Sequence, residues 1–264
     1  MSEALSVFIG YDQRQDAAYR VCRNSILRRC SRDVHIVKLA QEPLRAAGLY
    51  SREWRDVNGQ WIDCTDGKPF STEFTFTRFL VPLLALRQGW ALFCDCDFLF
   101  TADLACLFDL ADDRYAVMVV KHEHKPREKT KMTGAAQTSY RRKNWSSLVL
   151  WNCEHAGNRA VTTWGVNHLA GHFLHAFSWL GEAEIGALPA TWNHLSGVGP
   201  AWKDEDPPCG IHYTLGTADM PGHEAAPFAD LWLAERDSRR GLNGPTMMER
   251  ARALDAKKAI AAHP

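Results

Sequence analysis

The chain of 264 residues carries 31 Lys and Arg against 31 Asp and Glu, which gives neither a basic field for nucleic acid nor an acidic excess. Its 46% hydrophobic content supports a sizeable core, in one large α/β domain or two small ones, yet no apolar run is long enough to span a membrane. The eight cysteines show neither zinc spacing nor a small secreted framework, and no signal peptide precedes Val7, so reduced thiols in a cytoplasmic protein are expected.

The elements alternate between strand and helix. Leu5 to Ile9 reads as a short apolar strand, Ala17 to Leu27 has apolar residues at helical spacing, and Val34 to Leu39 is a second strand. This opens a βαβ unit, so a parallel sheet with a right-handed crossover is expected. Thr72 to Leu86 predicts a helix kinked or broken at Pro82, feeding a strand from Trp90 to Cys94. Tyr115 to Val120 and Leu148 to Trp151 are further strands, separated by a polar, basic segment from Lys121 to Lys143. That segment is either a lid over a ligand or a solvated loop. Asn158 to Leu180 reads as mostly helical, and Ile185 to Leu188 and Gly210 to Tyr213 as short strands. Residues 245–264 read as a C-terminal surface helix running from Thr246 to Ala262. With no internal repeat and no low-complexity linker, residues 1–264 are expected to form a single domain.

Ligands of open α/β sheets collect at the carboxyl ends of parallel strands. Two such ends stand out. At Gly10-Tyr11-Asp12 the glycine would permit close backbone approach, Tyr11 would stack on a base, and Asp12 would accept hydrogen bonds from base or ribose. The same trio is equally an ordinary strand-to-helix turn with Asp12 at the helix N-terminus. At the second end, Asp95 and Asp97 interrupt the apolar run from Ala91 to Phe100. Two buried like charges are costly unless a cation relieves them, and their oxygen ligands suit Mg²⁺ or Mn²⁺ held with a diphosphate. A second acidic cluster, Asp204-Glu205-Asp206, lies in a polar stretch and lacks these apolar flanks. Cys94 and Cys96, beside Asp95, read as small buried strand residues. His168, His172 and His175 share one face at helical spacing, which suits helix packing better than a metal site without a carboxylate. His122-x-His124 carries either reading. Among ten tryptophans, Trp145, Trp151, Trp192 and Trp202 would suit sugar stacking, although most should be core.

Phe74-Thr75-Phe76-Thr77-Arg78-Phe79, followed by Ala91-Leu92-Phe93-Cys94-Asp95-Cys96-Asp97, resembles the glycogenin-like, family 8-type glycosyltransferases of the GT-A fold. In the same order follow Asn144-Trp145-Ser146-Ser147-Leu148-Val149-Leu150-Trp151-Asn152, Leu188-Pro189-Ala190-Thr191-Trp192-Asn193, and Ile211-His212-Tyr213-Thr214-Leu215-Gly216. Ala229-Asp230-Leu231-Trp232 resembles a bacterial subgroup. The resemblance spans Val7 to Leu233 and implies a mixed, mostly parallel central sheet flanked by helices. It also implies transfer of a hexose from a nucleotide-sugar, UDP-linked by resemblance, to a glycan acceptor, with retention. Asp95, Asp97 and His212 would hold the metal, a mixed oxygen and nitrogen set that suits Mn²⁺ better than Mg²⁺. Tyr11, Asp12, Arg78 and Asp95 would bind the donor, Asp95 through the ribose and Arg78 through the diphosphate or sugar. Arg78 would otherwise pair with Glu73 on its own helix.

Two departures bear on mechanism. Where many relatives place a lysine on the diphosphate, this chain reads Gly216-Thr217-Ala218-Asp219-Met220-Pro221. No acid or amide in Leu174 to Glu182 matches the residue that relatives set near the reacting carbon, so the nucleophile or base stays unassigned. The alternative is a non-catalytic nucleotide-sugar or carbohydrate-binding protein that keeps the fold. A nucleotidylyltransferase would want a first loop richer in glycine and lysine than Gly10-Tyr11-Asp12-Gln13-Arg14-Gln15.

Overall fold

β1 (Leu5–Gly10) is almost wholly buried, as a strand flanked on both sides must be, and it leads through a 3-10 turn into α1 (Asp16–Arg29) and β2 (Val34–Leu39). The computed structural model describes residues 4–122, 142, 144–198 and 201–238. After α2 (Gln41–Ala46), three short strands form an antiparallel sheet of their own: β3 (Trp54–Val57), β4 (Gln60–Asp63) and β5 (Pro69–Phe70). β3 and β4 are joined at Asn58-Gly59, both with positive φ, the two-residue turn whose twist matches the strands it links.

The predicted helix over 72–86 is not continuous. A 3-10 turn at Thr77–Leu80 precedes α3 (Val81–Leu84), in whose first turn Pro82 sits. Pro82 therefore starts a helix instead of kinking one, because a first-turn residue has no amide partner to lose. β6 (Trp90–Cys94) and β7 (Phe98–Phe100) follow, then α4 (Ala105–Phe108), β8 (Val117–Val119) and β9 (Leu148–Asn152). The stretch 158–180 is broken as well. Thr162 caps α5 (Thr163–His168) by accepting from the Gly165 amide, and the backbone is extended at Leu169 and Ala170 before α6 (Gly171–His175). His168 and His175 thus sit on different helices, which corrects the expectation of one shared face. β10 (Ile185–Ala187), β11 (His194–Leu195), β12 (Gly210–His212) and α7 (Ala229–Asp237) complete the described elements. The surface helix expected over 245–264 and nearly all of the 121–143 segment, His124 included, lie outside the described residues.

The central sheet runs β10-β8-β9-β6-β1-β2. β1 lies parallel to β2 and β6, and β8 to β10, whereas β9 is antiparallel to both its neighbours. This is the mixed, mostly parallel sheet of the GT-A fold. In register Ile9 pairs with Cys94, so Gly10-Tyr11-Asp12 and Asp95-Cys96-Asp97 leave the sheet side by side. A small sheet, β11-β12-β7, stands beyond this edge and places His212 opposite Phe98. Among the described residues no helix is long and apolar enough to cross a membrane. None of the eight cysteines is in a disulfide, and Cys94 and Cys96 are buried.

Two glycines are fixed by what packs on them. A Cβ on Gly10 would lie 2.5 Å from Cγ of the buried Phe74 ring, so the close approach that Gly10 permits is that of a side chain. A Cβ on Gly210 would lie 2.3 Å from the carbonyl oxygen of Trp192, and a backbone atom cannot step aside. Gly210→Ala should therefore push β12 off the Ala190–Asn193 turn and cost about 2 kcal/mol, an overpacking penalty read from urea unfolding.

Candidate metal and donor site

The turn between β6 and β7 carries Asp95 and Asp97, and the end of β12 brings His212 to them. The pairing of β12 with β7 is what closes the set, and the Tyr213 amide donates to Asp97 O at 3.0 Å. One ligand atom from each of Asp95, Asp97 and His212 lies within 4.8 Å of the others. Arg78 reaches the same place from the 3-10 turn before α3. Its Nη1 lies 2.8 Å from Asp95 Oδ1, so it pairs with Asp95, not with its neighbour Glu73. Arg78 is further anchored by donation to the carbonyls of Ser146 (2.8 Å), Thr75 (3.1 Å) and Phe74 (3.3 Å).

The electrostatics are those of a crowded anionic turn. Burial pushes the Asp95 carboxyl up to about 6, against the pull of Arg78 and with the help of Asp97's charge. Burial acts the same way on Asp97, but the His212 imidazole beside it, Nε2 to Oδ1 3.3 Å, outweighs this and holds Asp97 below the usual range. Burial lowers His212, and the Asp97 and Asp95 charges more than reverse it. Despite these neighbours, Asp95 Oδ1 and Asp97 Oδ1 are buried without a hydrogen bond of good geometry. Buried carboxylate oxygens left in this state fit a hard divalent cation, and the imidazole adds a borderline nitrogen ligand. Both side chains keep some exposure, 15% and 18%, so the turn has an open face.

Around these groups stand residues to which the sequence assigned no role or only an open one. The turn Trp145–Ser147 accepts the Asp95 amide at Ser147 O (2.9 Å) and Arg78 at Ser146 O. Ser146 Oγ lies 2.7 Å from His175 Nδ1, and burial, with Arg78 and Arg52 nearby, holds His175 well below its ordinary value and therefore neutral. Asn193 Oδ1 lies 3.1 Å from His212 Nδ1. His122 is pushed down to about 4, first by burial and then by the His212 charge, so it too is neutral beside the cluster.

The first strand end is differently engaged. The Asp12 carboxylate is fully buried and accepts from Arg14 N (3.0 Å), Arg14 Nε (2.9 Å) and Glu73 N (3.2 Å), capping the Gln13–Gln15 turn. The Tyr11 hydroxyl donates to Asp16 at 3.1 Å, and Lys38 Nζ stands 4.1 Å from its ring centroid. The late segment also satisfies itself: Thr217 Oγ1 donates to Asp219 at 2.6 Å, and the His223 ring closes over Gly216. A hollow of about 200 Å³ opens there between Ser196, Gly197, Gly216 and His223. Of the four candidate stacking tryptophans, Trp145, Trp151 and Trp192 are buried, and Trp202 packs on His194.

Sheet order, strand-end register and acidic turn together define a protein of the GT-A fold. Solved structures agree on that fold. The bifunctional glycosyltransferase WbbM superposes with a TM-score of 0.58 at 18% identity, covering 96% of this chain and 52% of its own. The glycosyltransferase GlyE of Streptococcus pneumoniae gives 0.54 at 16%, with 90% and 62% coverage. The galactosyltransferase LgtC, solved with donor and acceptor sugar analogs, gives 0.55 at 13%, with 94% and 99%. This chain thus spans about half the length of WbbM and under two thirds of GlyE. In sequence it is 47% identical to Protein CDI of Arabidopsis thaliana over 234 residues, 88% of this chain and 85% of that protein. The chain belongs to the family of Protein CDI. That relative is a plant protein and lends no support to the expected bacterial subgroup. No protein-family model matches the sequence.

Proposed function

We propose that this protein is a metal-dependent glycosyltransferase that moves a hexose, with retention, from a UDP-linked donor to a glycan acceptor. The observation that carries the reading is the cluster of Asp95, Asp97 and His212 at the carboxyl end of β6, with two buried carboxylate oxygens whose contacts with Arg78 and His212 fall short of good hydrogen-bond geometry. Glycosyl donors bound by proteins of this fold, as with the sugar analogs of LgtC, add support. Asp97 and His212 would hold the cation, and Asp95 would serve the cation or the ribose of the donor. When bound, a divalent cation neutralises the charge that grows on a departing diphosphate. Arg78, fixed by three carbonyls and Asp95, turns its guanidinium toward the same charge and holds the donor in register. Tyr11 and Asp12 line the nucleoside end, where Asp12 acts through the turn that it caps and Tyr11 offers its ring. With Asp219 satisfied by Thr217, no cation of that late segment reaches the phosphates, so Arg78 and the metal carry more of the charge than in relatives with a lysine there.

Thermal unfolding with UDP, GDP, ADP and CMP, each with and without Mn²⁺, tests the donor class. A ligand at a hundredfold excess over Kd stabilises the folded state by about 2.7 kcal/mol. A rise in Tm with UDP that requires Mn²⁺ is expected, followed by slow Mn²⁺-dependent release of free hexose from one UDP-hexose. Binding with no release from any UDP-hexose would leave a carbohydrate-binding module, and no shift with any nucleotide would remove the donor site.

A further inference from the structure

Behind His212 the hydrogen bonds of Ser147 and Asn193 run in one direction, while the neutral His122 ring also reaches Asn193. Asn144 O is a backbone carbonyl and accepts, so the Ser147 hydroxyl 2.8 Å away donates to it. With its proton committed, Ser147 Oγ offers a lone pair to Asn193 Nδ2 at 2.9 Å. That contact settles which way round the Asn193 amide lies, and Oδ1 is turned to His212 Nδ1 at 3.1 Å. An amide oxygen can only accept, so Nδ1 carries the proton and Nε2 is the nitrogen presented to Asp97. All three side chains are buried, Asn193 completely, so water does not substitute for any link. The ring is also held flat: Phe98 stacks on it at 4.5 Å with 16° between planes.

We propose that Asn193, oriented by Ser147, is the positioning residue that makes His212 an Nε2 ligand. The inference rests on the metal reading given above and adds to it the group that selects the tautomer and ring orientation. Outer partners of this kind change metal affinity by about 10–100-fold. The start of the chain is local: Asn144 has φ +64, a left-handed conformation that Asn tolerates, and this turns its carbonyl onto the Ser147 hydroxyl.

The test is Mn²⁺ binding, with affinity from titration calorimetry and ¹⁴N modulation of the bound ion from pulsed EPR. Asn193→Ala should weaken Mn²⁺ by about 10–100-fold and abolish the imidazole nitrogen modulation. Asn193→Asp keeps an acceptor for Nδ1, with the Ser147 hydroxyl turning from Asn144 O to donate to the second carboxylate oxygen, and should restore affinity to within about threefold, with the modulation present. Ser147→Ala, a smaller change that serves if Asn193→Ala does not fold, should weaken Mn²⁺ by about fivefold. Unchanged affinity and modulation in Asn193→Ala, or in Ser147→Ala where it is the only folded variant, overturns the proposal. So does an equal loss in Asn193→Ala and Asn193→Asp, which would mark a merely structural tie between β12 and the turn. Those results leave the metal site standing, whereas failure of the unsubstituted protein to bind Mn²⁺ removes the metal reading and this one together.

Discussion

Asp97→Asn is expected to lower Mn²⁺ affinity by more than about 100-fold and to lower the Tm of the metal-free protein as well. The first half follows from ligand chemistry: loss of an outer partner alone costs about 10–100-fold, and loss of a direct carboxylate ligand exceeds it. The second half follows from the sign of the shift: a carboxyl held below its ordinary range in the fold stabilises the folded state at neutral pH, and that contribution is lost with the charge. Asp95 and Asp97 are like charges taken largely out of water, and part of the rise of Asp95 to about 6 comes from Asp97. Removing Asp97's charge relieves Asp95. It also leaves His212 with the Asp95 charge alone to oppose its burial. Asp95→Asn makes the informative contrast, since it removes the carboxylate that Arg78 faces at 2.8 Å and leaves a buried guanidinium with carbonyl partners only. Because burial already disfavours the Asp95 charge, this loss is partly offset, and Asp95→Asn should lower Tm less than Asp97→Asn does. Calorimetric titration with Mn²⁺ and thermal unfolding in chelator check both halves. Unaltered Mn²⁺ affinity in Asp97→Asn would remove the metal from this site.

Legibility in the sequence followed the range of the forces involved. β6 keeps the predicted bounds because it is a short apolar run between polar breaks, and β2, at the end of the central sheet with only Leu39 buried, keeps them as a β-branched segment. The small aromatic sheet had a readable signal that the apolar-run criterion passes over: Asn58-Gly59 between Trp54 and Trp61, whose tilted rings lie 4.6 Å apart. The long helix over 158–180 failed for a non-local reason. Its apolar spacing is helical, but the carbonyls of Val166 and Leu169 are drawn to Arg52, more than 110 residues away in sequence. At the site, Asp95, Asp97, Arg78 and His212 were visible as residues and the fold assembles them. The part played by Asn193 was not, because its partners Ser147 and His212 lie 46 and 19 residues away and no periodicity encodes a hydrogen bond. Asp12 shows the opposite case: a Gly-x-Asp strand end fits a ligand or a cap equally well, and only the placement of Arg14 and the Glu73 amide shows what it holds.

Arg52→Ala should be the most destabilising single substitution outside the site. Arg52 and Asp63 are each 1% exposed and meet in a fork, Nε to Oδ1 at 2.8 Å and Nη2 to Oδ2 at 2.7 Å. Nη1 donates to Val166 O at 2.9 Å and Leu169 O at 2.7 Å, the carbonyls where α5 ends, and the guanidinium lies 3.9 Å over the Phe76 ring. One side chain therefore closes the small sheet at Asp63, ends α5 and sets where α6 begins. Truncation leaves Asp63 buried with its charge unanswered, a loss of about 3–5 kcal/mol, or about 10 °C in Tm for a chain of this size. The pair itself is worth less than its rupture suggests, because bringing both ions out of water cancels much of their attraction. The double variant Arg52→Met/Asp63→Leu should therefore recover most of the lost stability, and a double variant as unstable as Arg52→Ala would locate the cost in the α5 carbonyls instead. The effect reaches the site along a traceable route. α6 carries His175, His175 holds the Ser146 hydroxyl, and the Ser146 carbonyl holds Arg78 against Asp95. Arg52→Ala should accordingly weaken nucleotide binding at temperatures where the protein is still folded, and a variant that loses stability but keeps full nucleotide affinity would show that α6 is not what sets Arg78.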